Sequence, residues 1–287
     1  MRYYVKSKRG KLMTKFVVDS SSDMTNYKGI NLTVVPMNIS TKERTFTDDE
    51  LLDVSEMLDY MQGYKDRSFT ACPGTQSWLD AYEGGDVIYV ATLTSALSGT
   101  YNSALIAQDI YLEEHPEAKI HVFDSLTTGP ELRLLVEKLM ELDASGLDFD
   151  EVVREAEGYT ARTRLFFVFS SLHNLAQNGR VNKAVAATIG AFNIRIVGTA
   201  SESGEIQPIA KRKGDNHAAS EILHQLEEIG FTDGKIRICH VNNRELAHKY
   251  VQVLHNKYPE ADIKAYASRG LVSYYAERGG ILVAVEI

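Results

Sequence analysis

The sequence predicts an α/β fold in two parts. Residues 14–158 would form an N-terminal domain with a largely parallel sheet flanked by helices, and residues 159–287 a second α/β domain with a mixed sheet. Three observations predict it. Short β-branched runs alternate with longer segments of helical period, the pattern of α/β units. An acidic stretch around residues 146–158 is followed by a new apolar run, LFFVFSSL at 165–172, and marks the boundary. The turn SESG at 201–204 sits in a segment that reads as a hairpin, which brings antiparallel pairing into the second half.

The strands are KFVVDS at 15–20, DVIYVAT at 86–92 and KIHVFDS at 119–125, then FNIRIVG at 192–198, KIRICH at 235–240, DIKAYAS at 262–268 and GILVAVE at 280–286. Each is bounded by turn residues. Thr47 followed by Glu50 has capping-box spacing and predicts a helix start in TDDELLDVSEMLDYM. Further helices are expected at 74–83, 98–113, 129–143, 148–161, 214–229 and 243–257.

Composition narrows the function. The net charge of −8, from 39 acidic and 31 basic residues, argues against a nucleic-acid binder, since phosphate backbones are held by basic surface. Two cysteines, Cys72 and Cys239, give neither a disulfide framework nor a metal-type spacing, which fits a reducing, cytoplasmic location. The basic start MRYYVKSKRGKLMTKF lacks the apolar core of a signal peptide. Dinucleotide, P-loop, zincin and hydrolase-elbow motifs are missing, and His173, in LHNLAQNGR, is the one histidine beside a Gly-Arg turn.

Four loops share one grammar: an extended end, then small hydroxyl residues, then a turn or helix. They hold Asp19 to Asp23 with Ser20 and Ser21, Thr70 to Thr75, Ser95 to Thr100 with Ser98 and Gly99, and Asp124 to Gly129 with Ser125 and Thr128. Such hydroxyls commonly cap helices. Four of them at strand ends also suit convergence on one crevice, because ligands of open α/β sheets bind outside the carboxyl ends of the strands. Ser98-Gly99-Thr100 is the most ligand-like, with a helix N-terminus following a glycine that lets a ligand approach the backbone. The loops carry aspartates and no lysine or arginine, so a single carboxylate suits them better than a polyanion. The remaining affinity would then come from an apolar tail, with LFFVFSSL and AVAATIGAF (184–192) as candidate lining. A different reading stays open, in which Asp19 and Asp23 hold a metal for turnover of a small phosphorylated or sugar-like substrate.

VDSSSDM, Thr70-Ala71-Cys72-Pro73-Gly74, LSGTYNSA at 97–104, DSLTTG at 124–129 and LHNLAQNGRVNKAVAATIGAFNIRIVG at 172–198 together resemble the DegV family, from about residue 15 to the C-terminus. The resemblance implies a two-domain α/β fold holding a long-chain fatty acid between its parts. It also implies a carrier rather than an enzyme, without cofactor, that presents the acyl carboxyl to a separate fatty acid kinase making acyl phosphate for phospholipid synthesis. Such a carrier permits transient contact with a membrane surface. Thr70 and Ser98 would contact the carboxyl, with Gly99 beside them. Arg180 of Asn178-Gly179-Arg180-Val181, with Lys183, Arg195 and Lys211 to Lys213, would face the kinase. The family's His-Thr-Gly-Pro-Gly is here Ala276-Glu277-Arg278-Gly279-Gly280, so Ala276 replaces a carboxyl-binding histidine. Arg278, Tyr274 and Tyr275 are the candidate substitutes. The same loss leaves open a lipid-sensing relative not coupled to a kinase.

Overall fold

The computed structural model describes residues 12–25, 31–182 and 193–287. Residues 1–11 of the basic start, Lys183 and the alanine-rich 184–192 stretch lie outside the described residues. The first sheet holds strands β1 (Thr14–Asp19), β2 (Leu32–Val35), β6 (Val87–Thr92) and β7 (Lys119–Asp124), in the order β2-β1-β6-β7. All its pairings are parallel. Every residue of β6 is buried, as expected for a central parallel strand covered on both faces.

A small antiparallel sheet joins β3 (Asn38–Ser40) to β4 (Thr45–Thr47) and β5 (Phe69–Ala71). The third sheet is mixed. It runs β10-β9-β8-β13-β11-β12, with β8 (Thr163–Phe169), β9 (Ile194–Ala200), β10 (Ile206–Lys213), β11 (Lys235–His240), β12 (Asp262–Ala267) and β13 (Ile281–Glu286). Only β11 and β12 pair in parallel. The edge strand β10 carries Pro208, a register shift beside it, and Lys211 and Lys213, which blunt it against further pairing.

Helices α1 (Val54–Gly63), α2 (Thr75–Tyr82), α3 (Thr100–Glu114), α4 (Gly129–Ala144), α5 (Phe149–Thr160) and α6 (His173–Gln177) precede β9. Then come α7 (Gly214–Glu228), α8 (Arg244–Lys257) and α9 (Gly270–Ala276). A cut at residues 158/159 falls just before the end of α5. Helix α4 explains how the two large sheets are joined. It buries Leu132, Leu134, Leu135, Val136 and Leu139, more than one face, because it packs on β1 and β6 of the first sheet and on β8, β11 and β13 of the mixed sheet. One core cluster accordingly runs from Phe16 and Tyr89 through α4 to Phe167 and Leu282.

The expected helix start at Thr47 is corrected. Thr47 ends β4 and its hydroxyl donates to Asn38 Oδ1 at 3.0 Å. Helix α1 starts at Val54, where Asp53 Oδ1 accepts the Glu56 N–H at 3.0 Å. A neighbouring strand claims the Thr47 hydroxyl that local spacing had assigned to a cap.

Candidate functional site

The loop after β1 turns on Asp19, whose carboxylate is spent on the backbone. Its Oδ1 accepts the Ser21 N–H at 2.9 Å and its Oδ2 the Leu93 N–H at 2.7 Å. Burial pushes its pKa up to about 6, against the pull of these bonds. Asp23 sits in the left-handed region with φ 56°, and burial pushes it up to about 7 while the Arg269 N–H on Oδ1 pulls it down. Ser20 Oγ accepts the Met37 N–H at 3.1 Å, and Ser21 is fully buried. This first hydroxyl loop is thus a structural knot. Among the described residues no group of three or more potential ligands could hold a metal ion.

Beside the knot, the other loops open onto a pocket lined largely by Leu93, Leu165, Phe167, Phe169, Leu271 and Leu282. Its polar groups are few: Thr70, Ser98, Thr128, Arg180 and Tyr275. An apolar cavity with a small set of polar groups is the usual form of a small-molecule site.

The polar end is built from four parts of the chain. Thr70 lies on β5 and Tyr275 on α9, and their hydroxyl oxygens are 2.7 Å apart. Ser98 precedes α3, and its Oγ accepts the Thr100 N–H at 3.3 Å, which leaves its own O–H to donate. Arg180 reaches in from the turn after α6, donating from Nε to Leu97 O at 3.2 Å and from Nη1 to Asn178 O. Gly99 caps α3 with an ordinary φ of −77°, and a Cβ there would meet only Cys72 Sγ, at 3.6 Å. It supplies space rather than special backbone geometry.

Burial raises the Tyr275 phenol above its ordinary pKa, opposed by the Thr70 bond and the Arg180 charge, so it stays a neutral donor at neutral pH. Two hydroxyls that share one mutual bond keep one O–H between them for a third acceptor. With the Ser98 hydroxyl and the Arg180 guanidinium, this end offers donors and positive charge to a carboxylate.

The candidate replacements for the histidine separate. Tyr275 lines the pocket, whereas Tyr274 turns the other way into a buried network with Ser68 Oγ at 2.7 Å and Asn178 Nδ2 at 3.0 Å. Arg278 lines a separate cleft and pairs with Asp59. Ser125 lies outside the pocket while Thr128 lines it. Arg195 is held by Asp215 at 2.6 Å. Arg180 is the group that sequence reasoning aimed elsewhere, because its place beside Leu97, 83 residues earlier, has no local signal.

Fold and pocket define an α/β protein with an apolar cavity that carries a few hydroxyl groups and one arginine. The family model described as "Uncharacterised protein, DegV family" matches residues 13–286, and the chain belongs to the DegV family. A DegV domain-containing protein of Streptococcus pneumoniae is 39% identical over 277 residues, 95% of this chain and 99% of that protein. Among solved structures, a DegV family protein from Eubacterium eligens loaded with heptadecanoic acid is 44% identical, with a TM-score of 0.93 over 95% of this chain and 99% of that one. The Streptococcus pneumoniae Fatty Acid Kinase (Fak) B3 protein loaded with linoleic acid is 38% identical, with a TM-score of 0.93 over 96% of this chain and 100% of that one. No helix among the described residues is long and apolar enough to cross a membrane.

Proposed function

We propose that this protein binds one long-chain fatty acid, with its tail in the apolar pocket and its carboxylate against Thr70, Ser98, Tyr275 and Arg180, and presents that carboxyl to a fatty acid kinase for acyl phosphate formation. The observation that carries the reading is the Thr70–Tyr275 pair, 2.7 Å apart, at the donor-bearing end of an otherwise greasy cavity. The fatty acids named with the Eubacterium eligens and Streptococcus pneumoniae structures support it.

Affinity would come from the tail. About 14 methylenes at about 0.8 kcal/mol each contribute on the order of 10 kcal/mol, against about 1.5–3 kcal/mol for each charge-assisted bond at the head. The head group sets orientation, which is what a kinase acting on the carboxyl needs. Tyr275 supplies the donor that Ala276 lacks. Arg180 serves the carboxylate, and Arg195 and the β10 cations, with Lys183, are left as candidates for the partner surface. The test is delipidated protein with fatty acid, ATP and a fatty acid kinase. Acyl phosphate should form only with the carrier present, and its absence despite bound fatty acid would leave a lipid carrier uncoupled from the kinase.

A further inference from the structure

Strand β8 runs along the pocket wall. Residues two apart share a face of a strand, and Leu165, Phe167 and Phe169 all line the pocket. From its Phe169 end β8 leads into α6 and the turn that carries Arg180, so the track from Phe169 through Phe167 to Leu165 runs away from the head group. Phe167 and Phe169 stack, with 4.6 Å between ring centroids. A tail that starts at the head group crosses this pair before it reaches Leu165.

Opposite Phe167 on β9 stands Gly198. Residues directly opposite in an antiparallel pair share a face, and strand side chains ordinarily stand away from the sheet. Phe167 does otherwise. A Cβ on Gly198 would overlap Phe167 Cζ outright and lie 2.7 Å from Cε1, so the tip of the ring rests where the neighbouring side chain would begin. Aromatic rings shelter strand glycines in this way in antiparallel sheets. The other flank of Phe167 is closed, because Leu282 stands opposite it on β13 and Phe169 is stacked against the ring. A ring denied its place over Gly198 has only the pocket to move into.

We propose that Gly198 is a positioning residue for chain-length selection: by letting Phe167 lie flat, it keeps the pocket open to acids long enough to cross the Phe167–Phe169 pair. Gly198 itself is buried and does not line the pocket. The proposal rests on the fatty-acid reading above and names the class that reading selects, long-chain over medium-chain acids.

The test is calorimetric titration of the delipidated full chain with hexadecanoic and decanoic acids. Gly198→Ala should reduce the preference for the longer acid by about tenfold or more, the loss of roughly two buried methylenes. Adding Phe167→Leu, which takes away the clashing ring, should return that preference by about threefold or more. Gln207 O would also lie 2.7 Å from the new Cβ, so Gly198→Ala strains the pairing with β10. That strain acts on both acids alike and cancels in their ratio. Circular dichroism confirms that each variant is folded. Where Gly198→Ala does not fold, Phe167→Leu alone decides, and its wider bore should favour icosanoic over hexadecanoic acid by about threefold relative to wild type. A preference unmoved in folded Gly198→Ala, or moved and not returned by Phe167→Leu, overturns the proposal, as does an unmoved icosanoic-to-hexadecanoic ratio in Phe167→Leu. If no acid binds the wild type, the fatty-acid reading itself fails and the role of Gly198 with it.

Discussion

Asp48 caps the helix that begins at Gly270, from 222 residues away in sequence. Its Oδ1 accepts the Gly270 N–H and its Oδ2 the Leu271 N–H, each at 2.8 Å, while the preceding N–H, that of Arg269, goes to Asp23 Oδ1 at 2.6 Å. Three successive orphan donors at the start of α9 are thereby satisfied by two buried acids from the N-terminal half of the chain. Helix α9 puts Leu271, Val272, Tyr275 and Ala276 on the pocket, so one wall of the pocket hangs from this contact.

Gly270 shows how tight the contact is. A Cβ at this position would lie 2.7 Å from Asp48 Oδ1 and 2.5 Å from Leu52 Cδ2. Gly270→Ala should destabilise the protein by about 1–3 kcal/mol in a denaturant melt, the range for overpacking a close-packed site. It should also weaken fatty-acid binding, because Tyr275 moves with the helix. A variant as stable as wild type would show that α9 is free to shift.

The buried acids set a pH dependence. Asp19 is raised to about 6 and Asp23 to about 7, both chiefly by burial, from an ordinary value of 3.8. The native state holds these protons more tightly than the unfolded chain, so their contribution is fully present below about pH 4 and is lost as pH rises through about 6 to 7. Asp23→Asn keeps an acceptor for the Arg269 N–H and removes the titration. Its stability relative to wild type should therefore rise from about pH 4 and level off above about pH 7, read from melts at each pH. A difference that stays flat would place the cost of that buried charge elsewhere.

Much of the architecture is legible in the sequence because it is written locally. The apolar β-branched runs and the longer amphipathic segments locate the principal α/β elements, and the SESG turn joins antiparallel β9 and β10. What escapes depends on distant partners. The three-residue strands β3, β4 and β5 exist only because they pair with one another, and α9 has seven residues that carry no start signal of their own. Thr47 and Asp48 look like the opening of a helix, yet one completes a sheet and the other caps α9. Ser98 could be read as a ligand candidate from its loop and Thr70 from the family resemblance, whereas choosing Tyr275 over Tyr274 required knowing which way α9 faces.

The head-group pair makes a quantitative prediction. Thr70→Val and Tyr275→Phe should each weaken fatty-acid binding by roughly threefold to a hundredfold, the span between a neutral and a charge-assisted hydrogen bond. Their effects should be less than additive, because removing either hydroxyl also breaks the shared bond. Titration of the two single variants and the double variant checks this, and strict additivity would mean that the two hydroxyls act on a ligand independently.

Tail burial is tested by shortening the ligand. Each pair of methylenes removed from a saturated acid should cost about 1.6 kcal/mol, roughly fifteenfold in dissociation constant. An affinity that is indifferent to chain length would mean that the tail stays in water.

The most direct test of the central claim is native mass spectrometry of the full chain purified from bacteria without added lipid. Each polypeptide should carry one copy of a long-chain fatty acid, removed by organic extraction and regained on titration. A bare protein that takes up no fatty acid, or one carrying a polyanion in its place, would contradict it.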